Sequence, residues 1–226
     1  MNRKTKPIEG VIFDMDGLNL DSEKVVQRSW QDVGVTMGYP HMGEEIYHTI
    51  GFNRDRRKVY FKQVYGEDFP YEEFREKVVY RFTQIEEEEG IGIKAGAGEL
   101  MEFLNQRNIP MALATSSSSD HAVGQLKRAG LYRYFDGFVF GNMVNRSKPN
   151  PEIYLRACAQ IGVDPDKALA LEDAPAGVES AWAAGLRVIM VPDLVQPDKE
   201  TRKKTWYVEP SLHHVIDVIK SIDTER

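Results

Sequence analysis

Short, largely apolar runs recur through this 226-residue chain and constrain its fold more than any other feature. They are Val11-Ile12-Phe13, Met111-Ala112-Leu113-Ala114, Phe138-Val139-Phe140, Ala168-Leu169-Ala170-Leu171 and Arg187-Val188-Ile189-Met190-Val191. Each is too short for a helix. None alternates apolar with polar, so each reads as a strand buried on both faces. Helical patterns separate the later runs. Gly98 to Asn108 carries Leu100, Phe103 and Leu104 at helical spacing, and Asp120 to Gly130 carries Val123 and Leu126. Pro151 to Gly162 and Pro175 to Gly185 each open on proline and close on glycine, the asymmetry expected of helix ends. Strands alternating with such helices form right-handed βαβ units around a parallel sheet.

The stretch from Ser22 to Gly92 breaks this rhythm. It holds no buried-strand run and reads as helices over Glu23 to Val33, Glu44 to Ile50, Arg54 to Tyr65 and Tyr71 to Glu89. The last places Phe74, Val78, Arg81, Phe82 and Ile85 on one face. About seventy residues is far beyond an ordinary connecting loop. The expected organisation is therefore an α/β, Rossmann-like parallel-sheet core over residues 1–21 and 93–226. An all-helical cap domain over 22–92 is inserted after the first strand, where it would cover the carboxyl ends of the strands.

Composition excludes some classes. With 42% hydrophobic and 28% charged residues the chain can bury a core and is neither fibrous nor disordered. No apolar run approaches the ~20 residues that span a bilayer, and the N-terminal stretch lacks the apolar segment of an export signal. A lone cysteine, Cys158, cannot form an internal disulfide, which suits a reduced cytoplasmic setting. The net charge of -6 argues against nucleic acid as a partner. A monomer with no membrane partner is the default expectation.

Ligands of open parallel sheets bind beyond the carboxyl ends of the strands. Asp14-Met15-Asp16-Gly17 follows the first strand, Thr115-Ser116-Ser117 the second, and Glu172-Asp173 the Ala168 strand; Ser147-Lys148-Pro149 precedes the helix before it. Singly, each of these is ordinary turn or capping chemistry. Jointly they bring carboxylates, hydroxyls and one lysine to one edge. Two like charges 4 Å apart repel by roughly 4 kcal/mol at an effective dielectric of 20, so such a set of acids calls for a cation. A donor set of oxygens without His or Cys favours a hard ion, best Mg²⁺.

The segments Asp14 to Glu23, Ala112 to Ser117, Ser147 to Tyr154 and Leu171 to Gly185 together resemble the haloacid dehalogenase superfamily, in the β-phosphoglucomutase-like and sugar-phosphate phosphatase branch with a helical cap. The resemblance implies that Asp14 is a nucleophile forming an aspartyl-phosphate and that Asp16 is the general acid/base. It implies Mg²⁺ on a carboxylate oxygen of Asp14, the main-chain carbonyl of Asp16 and a carboxylate oxygen of Asp173, with Glu172 as a further contact. Thr115 and the amide of Ser116 would hold a phosphoryl oxygen, beside Ser117. Lys148 would bind the phosphoryl group and Asp14 together. The cap-loop residues Gly51 and Arg54 would face the substrate, a small phosphorylated metabolite such as a sugar or polyol phosphate. The alternative is a β-phosphoglucomutase-type phosphotransferase; a non-catalytic module is disfavoured because every charged role is filled.

Several positions depart from that family. Asn19 replaces an aliphatic residue, Lys94-Ala95-Gly96 lacks the usual proline, and Val26 stands where a mutase carries a cap histidine. Arg54 rather than lysine argues against phosphonate cleavage. His213 and His214 are expected on a helix surface, Cys158 in the core, Glu86 to Glu89 as a solvated helix end, and Trp30, Trp182 and Trp206 in packing roles, with lining of the cap side the alternative for Trp30.

Overall fold

The computed structural model describes residues 7–50, 52 and 54–224. Six strands form one sheet: β1 (Gly10–Phe13), β2 (Met111–Ala114), β3 (Gly137–Val139), β4 (Ala168–Glu172), β5 (Arg187–Met190) and β6 (Tyr207–Val208). Their order is β3-β2-β1-β4-β5-β6, and every neighbouring pair is parallel. The chain runs outward from central β1 to β2 and β3, then crosses back to β4 on the other side. That crossing opens a crevice at the carboxyl end of β1.

Two of the strands, β2 and β4, divide their side chains by size. Val11, Phe13, Met111, Leu113, Leu169, Leu171 and Ile189 face one layer, with α5 (Ala97–Asn105), α6 (Ser119–Arg128) and α10 (Leu212–Thr224) over it. Ala112, Ala114, Ala168 and Ala170 face the other, where α7 (Glu152–Gln160) and α8 (Pro175–Ala183) pack. The alternation of alanine with leucine or methionine in β2 and β4 thus sorts a shallow face from a deep one. Buried Cys158 belongs to the shallow side, and burial pushes its thiol up to about 12.

Between β1 and β2 lie α1 (Ser22–Thr36), α2 (Ile46–Thr49), α3 (Arg54–Tyr65) and α4 (Tyr71–Glu89). They have a core of their own, built from Trp30, Val33, Met42, Ile46, Phe61, Phe69, Tyr71 and Phe74. Phe61 is its hub, with ring centroids of Trp30, Phe74 and Phe69 at 5.2, 5.4 and 5.5 Å. The chain enters and leaves this unit side by side: the Asp21 amide donates to Gly92 O at 2.8 Å and the Lys94 amide to Asn19 O at 2.9 Å. Lys94, in the segment without the family's proline, reaches Asp193 Oδ1 at 2.6 Å and Asp21 Oδ1 at 3.6 Å. A charged clasp ties both linker segments to the loop after β5.

Two elements went unread in the sequence. The two-residue edge strand β6 is too short to show a period, and α9 (Lys199–Lys204) is polar throughout, KETRKK, with Asp198 capping it by accepting from the Thr201 amide. Glu86 is not simply solvated: it pairs with Arg128 of α6, while Glu89 pairs with Arg28 at 2.7 Å. Trp182 is 46% exposed instead of packed. His213 and His214 are surface residues, as expected. Among the described residues, no helix is long and apolar enough to cross a membrane.

Replacing the fully buried Phe61 by alanine removes the hub of the aromatic core. Phe61→Ala should destabilise the helical unit by about 3–5 kcal/mol, read as a lower urea midpoint.

Candidate active site

Asp14 is the first residue beyond β1, its amide still bonded to Leu171 O of β4 at 3.0 Å. The backbone then turns through Gly17, at φ 80°, where a Cβ would also meet the Asp173 carboxylate. Glycine is thus required twice over, for the left-handed conformation and for the close approach. Asn19, fully buried, donates from Nδ2 to the main-chain oxygen of Asp14 at 2.6 Å. This explains the departure from an aliphatic residue: the turn is pinned by a side-chain hydrogen bond.

Lys148 joins the site from the loop before α7. Its Nζ lies 2.5 Å from Asp14 Oδ1 and 2.6 Å from Glu172 Oε1, with all three residues buried. The Tyr154 hydroxyl donates to the same Glu172 oxygen, and the ammonium sits 5.2 Å from the Tyr154 ring centroid. Burial disfavours the lysine's charge, but Asp14 and Glu172 override it and hold its pKa above the ordinary value. Burial drives Asp14 well above the usual carboxylate range against the pull of Lys148, and Glu172 and Asp16 push it the same way. Asp173 is raised chiefly by burial, then by Asp14 and Glu172. Gly177 of α8 leaves space for this cluster; a Cβ there would overlap the Glu172 carboxylate.

Asp16 has a different environment. Its Oδ1 accepts from Ser22 Oγ at 2.8 Å, and its Oδ2 from Ser117 Oγ at 2.8 Å and Thr115 Oγ1 at 3.4 Å. Thr115 in turn accepts from the Ser117 amide at 3.0 Å. Thr115 is fully buried behind Ser116 and Ser117. Its hydroxyl is engaged with Asp16 and Ser117, whereas Ser116 and Ser117 line the cavity.

That cavity has a volume of about 450 Å³ and lies between the sheet end and the helical unit. Asp14, Asp16, Lys148, Glu172 and Asp173 line its floor; Val26, Trp30, Phe74 and Val78 line its roof. Arg54 stands at the wall with its guanidinium 2.7 Å from Glu72, an exposed pair. Gly51 lies outside the described residues. Arg56 bridges the two halves: it packs 3.9 Å over the Phe52 ring and donates to the main-chain oxygen of Lys148 at 3.0 Å.

The structure therefore brings Asp14, Asp16, Thr115, Ser116, Ser117, Lys148, Glu172 and Asp173 to one sheet edge. Asp14, Glu172 and Asp173 each offer a carboxylate oxygen, all within 4.8 Å of one another. Buried, all-oxygen and hard, this donor set fits a divalent cation. The side chain of Asp16 stands apart from the triad, held by its hydroxyls. Sequence reasoning passed over Ser22, Tyr154, Asp193 and Glu23 as site residues, and marked Asn19 only as a departure. Glu23, on the cavity wall, has its carboxyl pushed up to about 7 by burial and by Asp16. For Ser22 and Glu23 the signal was present, since both follow Asp21 in the first motif; for the others only the fold reveals the contact.

A family model for haloacid dehalogenase-like hydrolases matches residues 11–191. A phosphorylated carbohydrates phosphatase of Thermotoga maritima is 33% identical over 187 residues, covering 80% of this chain and 84% of that protein. Hexitol phosphatase A of Escherichia coli is 34% identical over 188 residues, covering 81% and 82%. Among solved structures, a β-phosphoglucomutase of Clostridium difficile superposes with a TM-score of 0.81 over 96% of this chain and 98% of that one, at 21% identity, a likeness of fold.

Tyr154→Phe removes one of two donors from a buried carboxylate. A hydrogen bond to a charged group contributes about 1.5–3 kcal/mol, so the variant should lose stability of that order in urea unfolding.

Proposed function

This chain belongs to the haloacid dehalogenase-like hydrolases, and we propose that the phosphate ester it hydrolyses is that of a small carbohydrate, a sugar or polyol phosphate. The observation that carries this reading is the contrast between two acids two residues apart on one cavity floor. Asp14 is bonded to the Lys148 ammonium, whereas Asp16 is cradled by hydroxyls. A nucleophile needs the first environment and a proton carrier the second. The phosphatase relatives named for phosphorylated carbohydrates and hexitols support the substrate class.

In the first half-reaction a carboxylate oxygen of Asp14 attacks phosphorus. The new O–P bond forms as the ester P–O bond breaks, and Asp16 gives its proton to the departing alcohol oxygen. In the second, Asp16 takes a proton from water as that water attacks phosphorus. The acyl-phosphate bond breaks and inorganic phosphate leaves. Lys148 offsets the charge of the phosphoryl group throughout, and the amide and hydroxyl of Ser116, beside Thr115, orient its oxygens. Asp14, Asp173 and the neighbouring Glu172 would hold Mg²⁺, with the main-chain carbonyl of Asp16. When bound, the ion supplies charge neutralisation and a fixed oxygen geometry.

Residues 22–92 act in this reading as a cap that opens for entry and closes to exclude water. The hinges are the paired linkers near Leu20 to Ser22 and Gly90 to Gly96. Arg54 at the cavity wall contributes to substrate capture. A monomeric cytoplasmic enzyme suits a small metabolite substrate. Val26 in the cavity roof offers no proton carrier for a second sugar, which favours hydrolysis over the mutase alternative.

Asp14→Asn should abolish release of phosphate from a sugar-phosphate panel, and Asp16→Ala should reduce it at least 100-fold, within the range general acid–base catalysis contributes. EDTA should stop turnover and Mg²⁺ restore it. Wild-type turnover by Asp14→Asn, or activity indifferent to chelation, contradicts the assignment. Conversion of β-glucose 1-phosphate to the 6-phosphate without phosphate release would favour the mutase instead.

A further inference from the structure

The ammonium of Lys148 is fixed by Asp14 and Glu172, yet its backbone is held from the other side of the cleft. The loop that carries it, Ser147-Lys148-Pro149-Asn150, is pinned at both flanks by the sheet side. The Arg146 amide donates to Glu152 Oε2 at 3.0 Å, and the Asn150 amide to Ser147 O at 2.9 Å. The Asn150 main-chain oxygen accepts from Ser180 Oγ of α8 at 2.6 Å, and its Oδ1 from the Glu152 amide at 3.1 Å. At the centre of the turn the pattern changes. Pro149 has no N–H to give, and among the described residues no main-chain amide donates to the Lys148 carbonyl. The donor there is Nη1 of Arg56, at 3.0 Å, from α3 of the helical unit.

Arg56 is set up for this contact. Its guanidinium carbon lies 3.9 Å from the Phe52 ring centroid. Phe52 is itself tied back: its amide donates to Thr49 O at 2.9 Å, and its main-chain oxygen accepts from Arg57 Nη2 at 3.1 Å. Stacking on a held ring narrows the conformations open to a long, exposed side chain. Arg54 and Arg57 line the cavity and Arg56 does not, so its guanidinium serves the loop. A charged donor also bonds a carbonyl more strongly than a neutral one.

Separation of the two halves leaves the ion pairs of Lys148 in place but removes this tether. The centre of the loop can then shift, and the ammonium with it. Phosphoryl transfer depends on positioning, and a displacement of about 1 Å can cost about 100-fold in rate.

We propose that Arg56 is a positioning residue: through the Lys148 carbonyl it sets the lysine ammonium in register with Asp14 when the helical unit is seated on the sheet. The inference rests on the phosphatase reading above and adds to it a residue that touches neither the phosphate nor its leaving group.

The test measures kcat and KM of the full chain with Mg²⁺ on p-nitrophenyl phosphate and sorbitol 6-phosphate, and the inhibition constant of inorganic phosphate. The Lys148 ammonium meets the phosphoryl group common to all three. Arg56→Met should therefore lower kcat/KM by about 10- to 100-fold, by the same factor on both esters. It should weaken inhibition by inorganic phosphate in step with KM. Arg56→Lys keeps a charged donor without the planar fork and should recover part of each loss. Should Arg56→Met fail to fold in thermal melts, Arg56→Gln carries the same comparison. Wild-type kinetics in the folded variant overturn the proposal. A loss confined to the sorbitol ester also overturns it, by making Arg56 a contact to the leaving group. So does a fall in kcat with KM and phosphate inhibition unmoved, which marks loss of active protein instead of a displaced lysine. Failure of wild type on both esters overturns the phosphatase reading first and this inference with it.

Discussion

One buried ammonium holds the site together. Lys148 lies between Asp14 and Glu172 at hydrogen-bond distance from both, in a region water barely reaches. Without it, Asp14, Glu172 and Asp173 would share one pocket with no protein cation among their direct partners. Burial and mutual repulsion already drive Asp14 and Asp173 toward protonation. A lysine cannot be buried alone either, since desolvation works against its charge. The two problems cancel only when the loop before α7 meets the ends of β1 and β4. The same excess of acid over base makes the cluster a place for a divalent ion, because one ammonium neutralises only part of three carboxylates.

The second acid of the first motif shows how environment divides labour between like residues. Asp14 and Asp16 are separated by a single residue, Met15, whose fully buried side chain anchors the turn in the core. Asp14 is fixed by charge and by Asn19 on its carbonyl. Asp16 receives hydroxyls from Ser22 at the start of α1 and from Thr115 and Ser117 after β2. Neutral donors hold a carboxyl in place without committing a full opposing charge to it. A residue that must give and regain a proton fits that setting better than a permanent ion pair.

Much of this was legible in the chain because parallel sheets advertise themselves. The strands buried on both faces are unbroken apolar runs, and α3 and α4 begin and end where their periodicity predicts. The motif residues follow strand ends, so their convergence was legible too. What escaped acts through tertiary contact alone. Nothing local marks Tyr154 as a donor to Glu172, eighteen residues away, or Arg56 as a partner of the Lys148 carbonyl. Thr115, which the family resemblance gives as a ligand to a phosphoryl oxygen, also reaches Asp16 Oδ2 at 3.4 Å, a contact that nothing local marks. Glu86 looked solvated within an acidic run, yet α6 supplies Arg128. Asn19 looked like an anomaly until the turn around Asp14 was seen to need a side-chain donor.

The division into separately cored halves explains why the contacts across the cleft are of the kind they are. Trp30, Phe61, Phe69 and Phe74 satisfy one another within the helical unit, and the sheet has its own two layers. The bridges between them include the Arg128–Glu86 pair, the Arg56 bond to the Lys148 carbonyl, and the Phe82–His121 ring contact at 5.5 Å. Exposed ion pairs of this sort contribute about 0–1 kcal/mol each, whereas detaching a buried aromatic residue from its core costs several times more. Separation at the cleft therefore sacrifices the weak contacts and spares the strong ones. Asp14, Lys148, Glu172 and Asp173 all belong to the sheet side, so that cluster survives the separation. The helical unit contributes Ser22 to Asp16 and carries Glu23, Arg57 and Trp30. The acidic cluster and its lysine thus belong to the sheet side, and the helical unit supplies the side chains that stand above them.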